Sequence, residues 1–318
     1  MCDDNCSKRY KEEKVSQTKT LNNYWAFLFT YYFNNTLAVM IFLCSDEQFI
    51  NAEQPIIKAD NRGFRYGDGI FETLRCVDSS IPLAPYHFDR LFKGLQTLFF
   101  DVPTHYTPEY FTTQIKELCT RNKHNPARVR LTMYRGDGGI KDPQNHFPHY
   151  IIQSWPLPYK QWQLNENGLV LGLCTDVQKN CDMLANCKTN NHLPYLYAAH
   201  CAQQQKWNDA IILNPFNRVA DTTIANIFIV KDECVYTPPL SEGCIAGVVR
   251  RYIIESFSNT FSIQEKPILI QDVEEADEVF TSNAIRGIQW VKSFKEKKYT
   301  YTITKAIFNC LNQDESNC

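Results

Sequence analysis

Glycine is scarce in this chain, and its placement constrains the fold more than any other feature. Only 12 of 318 residues are glycine, about 4% against a usual value near 7%. Eight of the twelve fall in three short clusters: Gly63, Gly67 and Gly69; Gly136, Gly138 and Gly139; Gly243 and Gly247. Glycine is required where φ is positive or where something approaches the backbone closely. Three clusters in a glycine-poor chain therefore point to loops gathered around a site.

Length and composition narrow the class. A chain of 318 residues suggests about two domains and needs no staples to bury a core. Lys plus Arg is 33 against 35 for Asp plus Glu, a net charge of −2, which argues against a basic nucleic-acid binder. Hydrophobic content of 44% and charged content of 21% exclude a disordered or collagen-like chain. The 13 cysteines are irregularly spaced without a C-x-x-C pair, so a metal site is not expected, and scattered thiols suit a reduced, cytoplasmic protein. The apolar runs at 25–33 and 37–44 fall short of the roughly 20 residues of a membrane span. Residues 1–39 read as a tail or a mis-called start, with folding information beginning at Met40. A membrane anchor over 24–44 is the alternative.

Two blocks follow, a small one over 40–155 and a larger one over 161–318, separated by a proline-rich stretch. The first carries strand patterns at 40–44, 69–77, 128–134 and from 151, and helical patterns at 87–99 and 108–121. The second carries strands at 169–174, 210–213, 226–230, 234–237 and 278–282, and helices at 193–207 and 247–257. Strands and helices interleave irregularly, so the expected class is α+β, a mixed α/β architecture.

Lys188 is the one fully charged residue between Asp182 and Lys206. A lysine in so uncharged a stretch is a candidate for desolvation, which lowers its pKa and frees the amine for Schiff-base chemistry. Taken alone, a snorkelling surface lysine is the better account. Asp221 stands at a strand entrance before Thr222 and Thr223, where a carboxylate can pair with a buried cation or cap a turn. Gly247 followed by Val248 and Val249 opens a helix whose free amides suit a phosphate. Arg90 offers a fixed positive fork to the same kind of anion.

Together these pieces resemble the class IV (fold type IV) pyridoxal-phosphate enzymes. Phe64-Arg-Tyr-Gly-Asp-Gly-Ile-Phe-Glu-Thr73 and His87-x-x-Arg90-Leu91 look like that family's small domain. Lys188-Thr-Asn-Asn191-His-Leu193 resembles its Lys-x-x-Asn-x-Leu, Asp221 to Phe228 its Glu-x-x-x-x-Asn-x-Phe, and Thr237-Pro-Pro-Leu240 through Gly247-Val-Val-Arg250 its phosphate stretch. Five motifs stand in register. The resemblance implies two domains with pyridoxal 5'-phosphate between them, and a homodimer in which the loop 136–142 helps shape the partner's site. It implies that Lys188 holds the cofactor as a Schiff base and carries protons, and that Asp221, where the family usually has Glu, pairs with the ring nitrogen. Arg90 and the amides of Val248, Val249, Asn283 and Ala284 would bind the phosphate.

The family includes branched-chain and D-amino-acid aminotransferases and 4-amino-4-deoxychorismate lyase. Arg130 falls where the branched-chain branch binds the substrate carboxylate, which favours amino transfer between an α-amino acid and a 2-oxo acid. Leu193 and Asn283-Ala-Ile-Arg-Gly-Ile288 look more like the lyase. Tyr66 and Lys141 are further substrate-binding candidates, Lys141 in place of an arginine that the lyase and D-amino-acid branches carry after Arg135-Gly136. A cofactor-holding non-enzyme is the remaining alternative, and neither nucleic acid nor membrane is an expected partner.

Overall fold

The computed structural model describes residues 40–141 and 146–317, with side chains to residue 313. The expectations for 1–39, and Asp142 at the end of the loop, lie outside these residues. The account below concerns the unit beginning at Phe42.

Five strands form an antiparallel sheet in the order β2-β1-β5-β4-β3. They are β1 (Phe42–Ser45), β2 (Gln48–Asn51), β3 (Gly69–Cys76), β4 (Ala127–Arg135) and β5 (Pro148–Pro156). The expected strand at 40–44 begins two residues later. Alternation along β4 sends Val129, Leu131 and Met133 into a core, while Arg128, Arg130 and Thr132 keep partial or full exposure on the other face. The helices α1 (Arg62–Tyr66), α2 (Ala84–Thr97) and α3 (Pro108–Asn122) belong to this half. Pro85 and Pro108 sit at the first positions of α2 and α3, where a missing N–H is harmless. Leu91 and Leu95 of α2 and Phe111, Ile115 and Leu118 of α3 pack on Ile70, Leu74 and Val129 in one apolar cluster. A Cβ on Gly94 would lie 2.1 Å from the Ile70 side chain, so glycine lets α2 lie close on β3.

The second sheet has nine strands in the order β11-β10-β9-β12-β13-β6-β7-β8, with β14 beside β13. They are β6 (Leu169–Gln178), β7 (Asp209–Leu213), β8 (Val219–Thr222), β9 (Asn226–Lys231), β10 (Cys234–Thr237), β11 (Ile263–Glu265), β12 (Glu278–Asn283), β13 (Gly287–Phe294) and β14 (Lys297–Lys298). Parallel pairs, β6 with β7 and β13 with β6, mix with antiparallel ones. The helices here are α4 (Leu193–Gln204), α5 (Val248–Phe257), α6 (Ile270–Glu275) and α7 (Thr302–Asn317). Val248, Val249, Ile253 and Phe257 of α5 and Ile307 and Leu311 of α7 cover one face with Phe228 and Phe280. Ile268, Val273 and Ala276 around α6 cover Ile227, Ile229 and Val279 on the other. The mixed α/β class expected from the sequence is the class observed.

Candidate active site

A cavity of about 410 Å³ lies between the two sheets. Phe71 and Thr73 of β3 and Arg128 and Arg130 of β4 form one wall. Asp221 of β8, Asn226 of β9, Tyr195 and Leu196 of α4, Ile245, residues 247–249 and residues 282–286 form the others. Five cationic side chains line it, Arg90, Arg128, Arg130, Lys188 and Arg286, against one carboxylate, Asp221. Such a lining favours anionic ligands.

Lys188 is held by backbone. Its carbonyl accepts the Phe71 amide at 2.9 Å, and the Asn190 amide donates to the Gly69 carbonyl at 2.9 Å. The segment thus docks antiparallel on the start of β3. The Lys188 amine lies 4.6 Å from the centre of the Phe71 ring. Burial, reinforced by the Arg90 charge, pushes its pKa down to about 8. A neutral, nucleophilic amine is then accessible near neutral pH.

Asp221 stands at 2% exposure. Its oxygens accept the Tyr195 hydroxyl, the Ile245 amide and the Asn226 side-chain amide, each at 2.8 Å. Burial pushes its carboxyl up to about 6, against those three bonds and the nearby Lys179 charge. A desolvated, oriented carboxylate of this kind gains strongly from a cation or a polarised N–H. Neither Tyr195 nor Asn226 was among the residues that the sequence singled out for chemistry, although Asn226 lies inside a quoted motif. Tyr195 had no sequence signal, since its hydroxyl meets Asp221 only through the packing of α4 on β7.

Beside them, α5 begins at Val248 with Gly247 as its N-cap and no side-chain cap bond. The first amides of a helix lack intrahelical partners, and those of Val248 and Val249 open here onto the cavity wall. A Cβ on Gly247 would lie 1.8 Å from Asn226 Oδ1, so only glycine lets this turn approach the residue that holds Asp221. The Ser282 hydroxyl, in a residue 1% exposed, has no hydrogen-bond partner among the described residues. Asn283 folds its own loop, accepting the amides of Ile285 at 3.0 Å and Arg286 at 2.8 Å.

Arg90 reaches the cavity from α2 and is anchored on Glu72 of β3 by two bonds, at 2.7 and 2.6 Å. Arg130 lies 3.6 Å over the Phe71 ring, with one bond, to the Thr132 hydroxyl at 3.1 Å. Burial and the neighbouring Arg128 push its pKa down to about 10, and no described carboxylate pairs with it. His192 packs edge-on against Phe71 at 4.9 Å, and burial pushes its pKa down to about 4.

The structure thus brings together Lys188, Arg90, Asp221, Val248, Val249, Asn283, Ala284 and Arg130. It does not bring Tyr66 or Lys141 to this cavity. Tyr66 ends α1 beneath Arg65, whose guanidinium lies 5.2 Å from its ring. Lys141 is exposed at the end of a loop docked elsewhere. That loop is pinned to residues 60–62: Arg62 donates from its backbone to Gly136 and from its side chain to Gly139, and Gly138 donates to Asp60. Sequence reasoning also passed over Arg128, Arg286 and His192. Their faces are set by strand register and loop closure, which a single sequence does not display.

An interleaved α/β fold with a lysine, a buried carboxylate and a helix N-terminus around one cationic cavity defines a class of enzyme. The family model "Amino-transferase class IV" matches residues 69–294. An aminodeoxychorismate lyase of Vibrio harveyi is 31% identical over 262 residues, covering 79% of this chain and 93% of that protein. A D-alanine aminotransferase of Listeria monocytogenes is 26% identical, over 75% of this chain and 82% of its own. The branched-chain aminotransferase of Thermoproteus uzoniensis superposes with a TM-score of 0.79 at 21% identity, covering 87% of this chain and 95% of that one. The chain belongs to the class IV aminotransferase family.

Proposed function

We propose that this enzyme binds pyridoxal 5'-phosphate on Lys188 and moves an amino group between an α-amino acid and a 2-oxo acid. The observation that carries the reading is the placement of the Lys188 amine and the Asp221 carboxylate in one cavity beside the N-terminus of α5. The residues present suit the cofactor. An amine of depressed pKa suits an aldehyde, a desolvated carboxylate suits a protonated ring nitrogen, and helix amides, the unpartnered Ser282 hydroxyl and Arg90 suit a phosphate.

When bound, pyridoxal phosphate supplies an aldehyde that condenses with amines and a cationic ring that withdraws electrons. Lys188 Nζ, as the neutral amine, would hold the cofactor through its aldehyde, and would carry the proton between the substrate α-carbon and the aldehyde-derived carbon of the cofactor. Asp221, fixed by Tyr195, Ile245 and Asn226, holds a proton on the ring nitrogen. Arg90 and the amides of Val248, Val249 and Ala284 hold the phosphate, with Asn283 shaping the loop. Arg130, which pairs with no carboxylate among the described residues, takes the α-carboxylate of the substrate.

The reading extends to a cytoplasmic homodimer. The scattered cysteines support the compartment. The exposed Leu193, Leu196 and Ile224, two of them on the cavity wall, support a covered face. In that dimer the loop from Gly136, with Lys141, serves the partner's site.

A second reading, elimination of 4-aminobenzoate and pyruvate from 4-amino-4-deoxychorismate, is favoured by the 31% identity to the Vibrio harveyi lyase over 93% of its length. Arg128 and Arg286 beside Arg130 suit its second carboxylate. The test runs branched-chain amino acids, D-alanine and aminodeoxychorismate side by side with the purified, cofactor-loaded protein. Amino transfer is expected. Turnover of aminodeoxychorismate alone establishes the lyase in its place. A protein that stays colourless with added pyridoxal phosphate overturns both.

A further inference from the structure

Glu72 breaks the pattern of its strand. β3 points Ile70, Glu72, Leu74 and Cys76 toward α2, and the other three belong to the apolar core. An ionised side chain there is strongly unfavourable unless paired and hydrogen-bonded. Glu72 is 0% exposed. Oε1 accepts Arg90 Nε at 2.7 Å, and Oε2 accepts Arg90 Nη2 at 2.6 Å and His87 Nδ1 at 2.7 Å. Burial alone would push its carboxyl up, but the Arg90 charge and the His87 bond outweigh it and hold the pKa down at about 2. His87 is itself 1% exposed, so the carboxylate is fixed from both sides.

The opposite edge of the guanidinium is tied as well. Arg90 Nη1 donates to the Ala246 carbonyl at 2.9 Å, one residue before the Gly247 cap of α5. Three of the five N–H donors of Arg90 are thereby committed, and two remain for a ligand. The plane of the guanidinium is set by β3 on one edge and by the turn that opens α5 on the other.

We propose that Glu72, braced by His87, is a positioning residue that fixes the plane of Arg90 for the phosphate of the cofactor, an inference that rests on the pyridoxal-phosphate reading of the cavity. Charge and position make opposite demands here. Glu72 is an anion close to where an anion binds, so removing its charge would tighten phosphate binding by Coulomb's law alone. A positioning role requires the reverse, because a released guanidinium loses its bidentate aim.

Full-length protein, freed of small molecules, is titrated with pyridoxal phosphate and with pyridoxal, which lacks the phosphate, following the absorbance of the lysine adduct. Glu72→Gln is expected to weaken pyridoxal phosphate at least tenfold and leave pyridoxal within twofold, with Glu72→Asp recovering part of the loss. Unchanged or tighter pyridoxal phosphate binding by Glu72→Gln overturns the proposal. The Glu72→Gln/Arg90→Ala pair, which removes both charges together, guards against a single variant that does not fold. It is expected to bind pyridoxal phosphate as Arg90→Ala alone does, and a further tenfold loss would show that Glu72 does not act through Arg90. Wild-type protein that binds both probes equally sinks the assignment of Arg90 and this proposal with it. Wild-type protein that forms no adduct with either sinks the cofactor reading itself.

Discussion

At the scale of the residue, Lys188 combines a backbone fixed against β3 with an amine driven down to about pKa 8 by burial and Arg90. Two consequences follow from one number. The neutral fraction of the amine rises with pH, so reaction of the cofactor-free protein with pyridoxal should speed up about tenfold per pH unit below 8 and level off above it. The folded pKa lies below the ordinary 10.5, so between about pH 8 and 10.5 the unfolded chain binds more protons and stability rises with pH. Urea titrations at pH 8 and 9.5 should differ by about 1.5 kcal/mol more for wild type than for Lys188→Met, in favour of the higher pH. Equal differences would mean that the amine is solvated.

At the scale of the element, Gly247 links the helix that presents amides to the residue that orients Asp221. Gly247→Ala would drive a Cβ onto Asn226 Oδ1, and Asn226 is 5% exposed and bonded to both Asp221 and Ile245. The expected result is a loss of about 1–3 kcal/mol in chemical denaturation, together with weaker cofactor binding. Normal binding at reduced stability would show that Asn226 can move without disturbing Asp221. Elements with a strong period were legible from the sequence. β10 has the bounds expected, and α2 and α3 were placed within three residues at each end. What escaped shares a cause. β13 reads Gly-Ile-Gln-Trp-Val-Lys-Ser-Phe, with Gln289 buried among apolar neighbours, so it lacks clean alternation. α7 mixes Thr, Lys, Asn and Gln into its apolar stripe. The short β8 is wholly buried, and its four residues show no face to read. In the site, the motif residues Lys188, Asp221 and Arg90 were legible because their spacing along the chain carries them. Tyr195, Arg128 and Arg286 were not, because they reach the cavity through the mutual packing of separate elements.

At the scale of the whole molecule, Arg75 joins the halves. It leaves β3 and, at 4% exposure, donates to the carbonyls of Tyr159 and Lys160 in the connection and of Ile285 beyond β12. Its guanidinium also lies 5.9 Å from the Trp162 ring. These bonds set the spacing between the wall that carries Phe71 and Arg130 and the loop that carries Asn283 and Arg286. Arg75→Met leaves three carbonyls without this donor, and the expected loss is about 3 kcal/mol in a denaturant titration. A rise in KM larger than the fall in kcat should accompany it, because the gap between the walls would no longer be fixed. An unchanged KM would mean that the apolar clusters alone hold the halves in place.

The alternation along β3 separates two properties that most pockets entangle. Odd-numbered Phe71 and Thr73 look into the cavity, and even-numbered Glu72 looks toward α2 and the anchor of Arg90. A protein engineer can therefore rewrite position 73 to change which substrates enter, and leave cofactor retention to position 72. A one-residue insertion in the same strand would exchange the two duties at once, putting a carboxylate in the substrate's path and a phenyl ring where the guanidinium is tethered. Deep mutational scanning of β3 should show the divide at these two neighbours: substitutions at 73 altering selectivity, substitutions at 72 altering the yield of coloured protein.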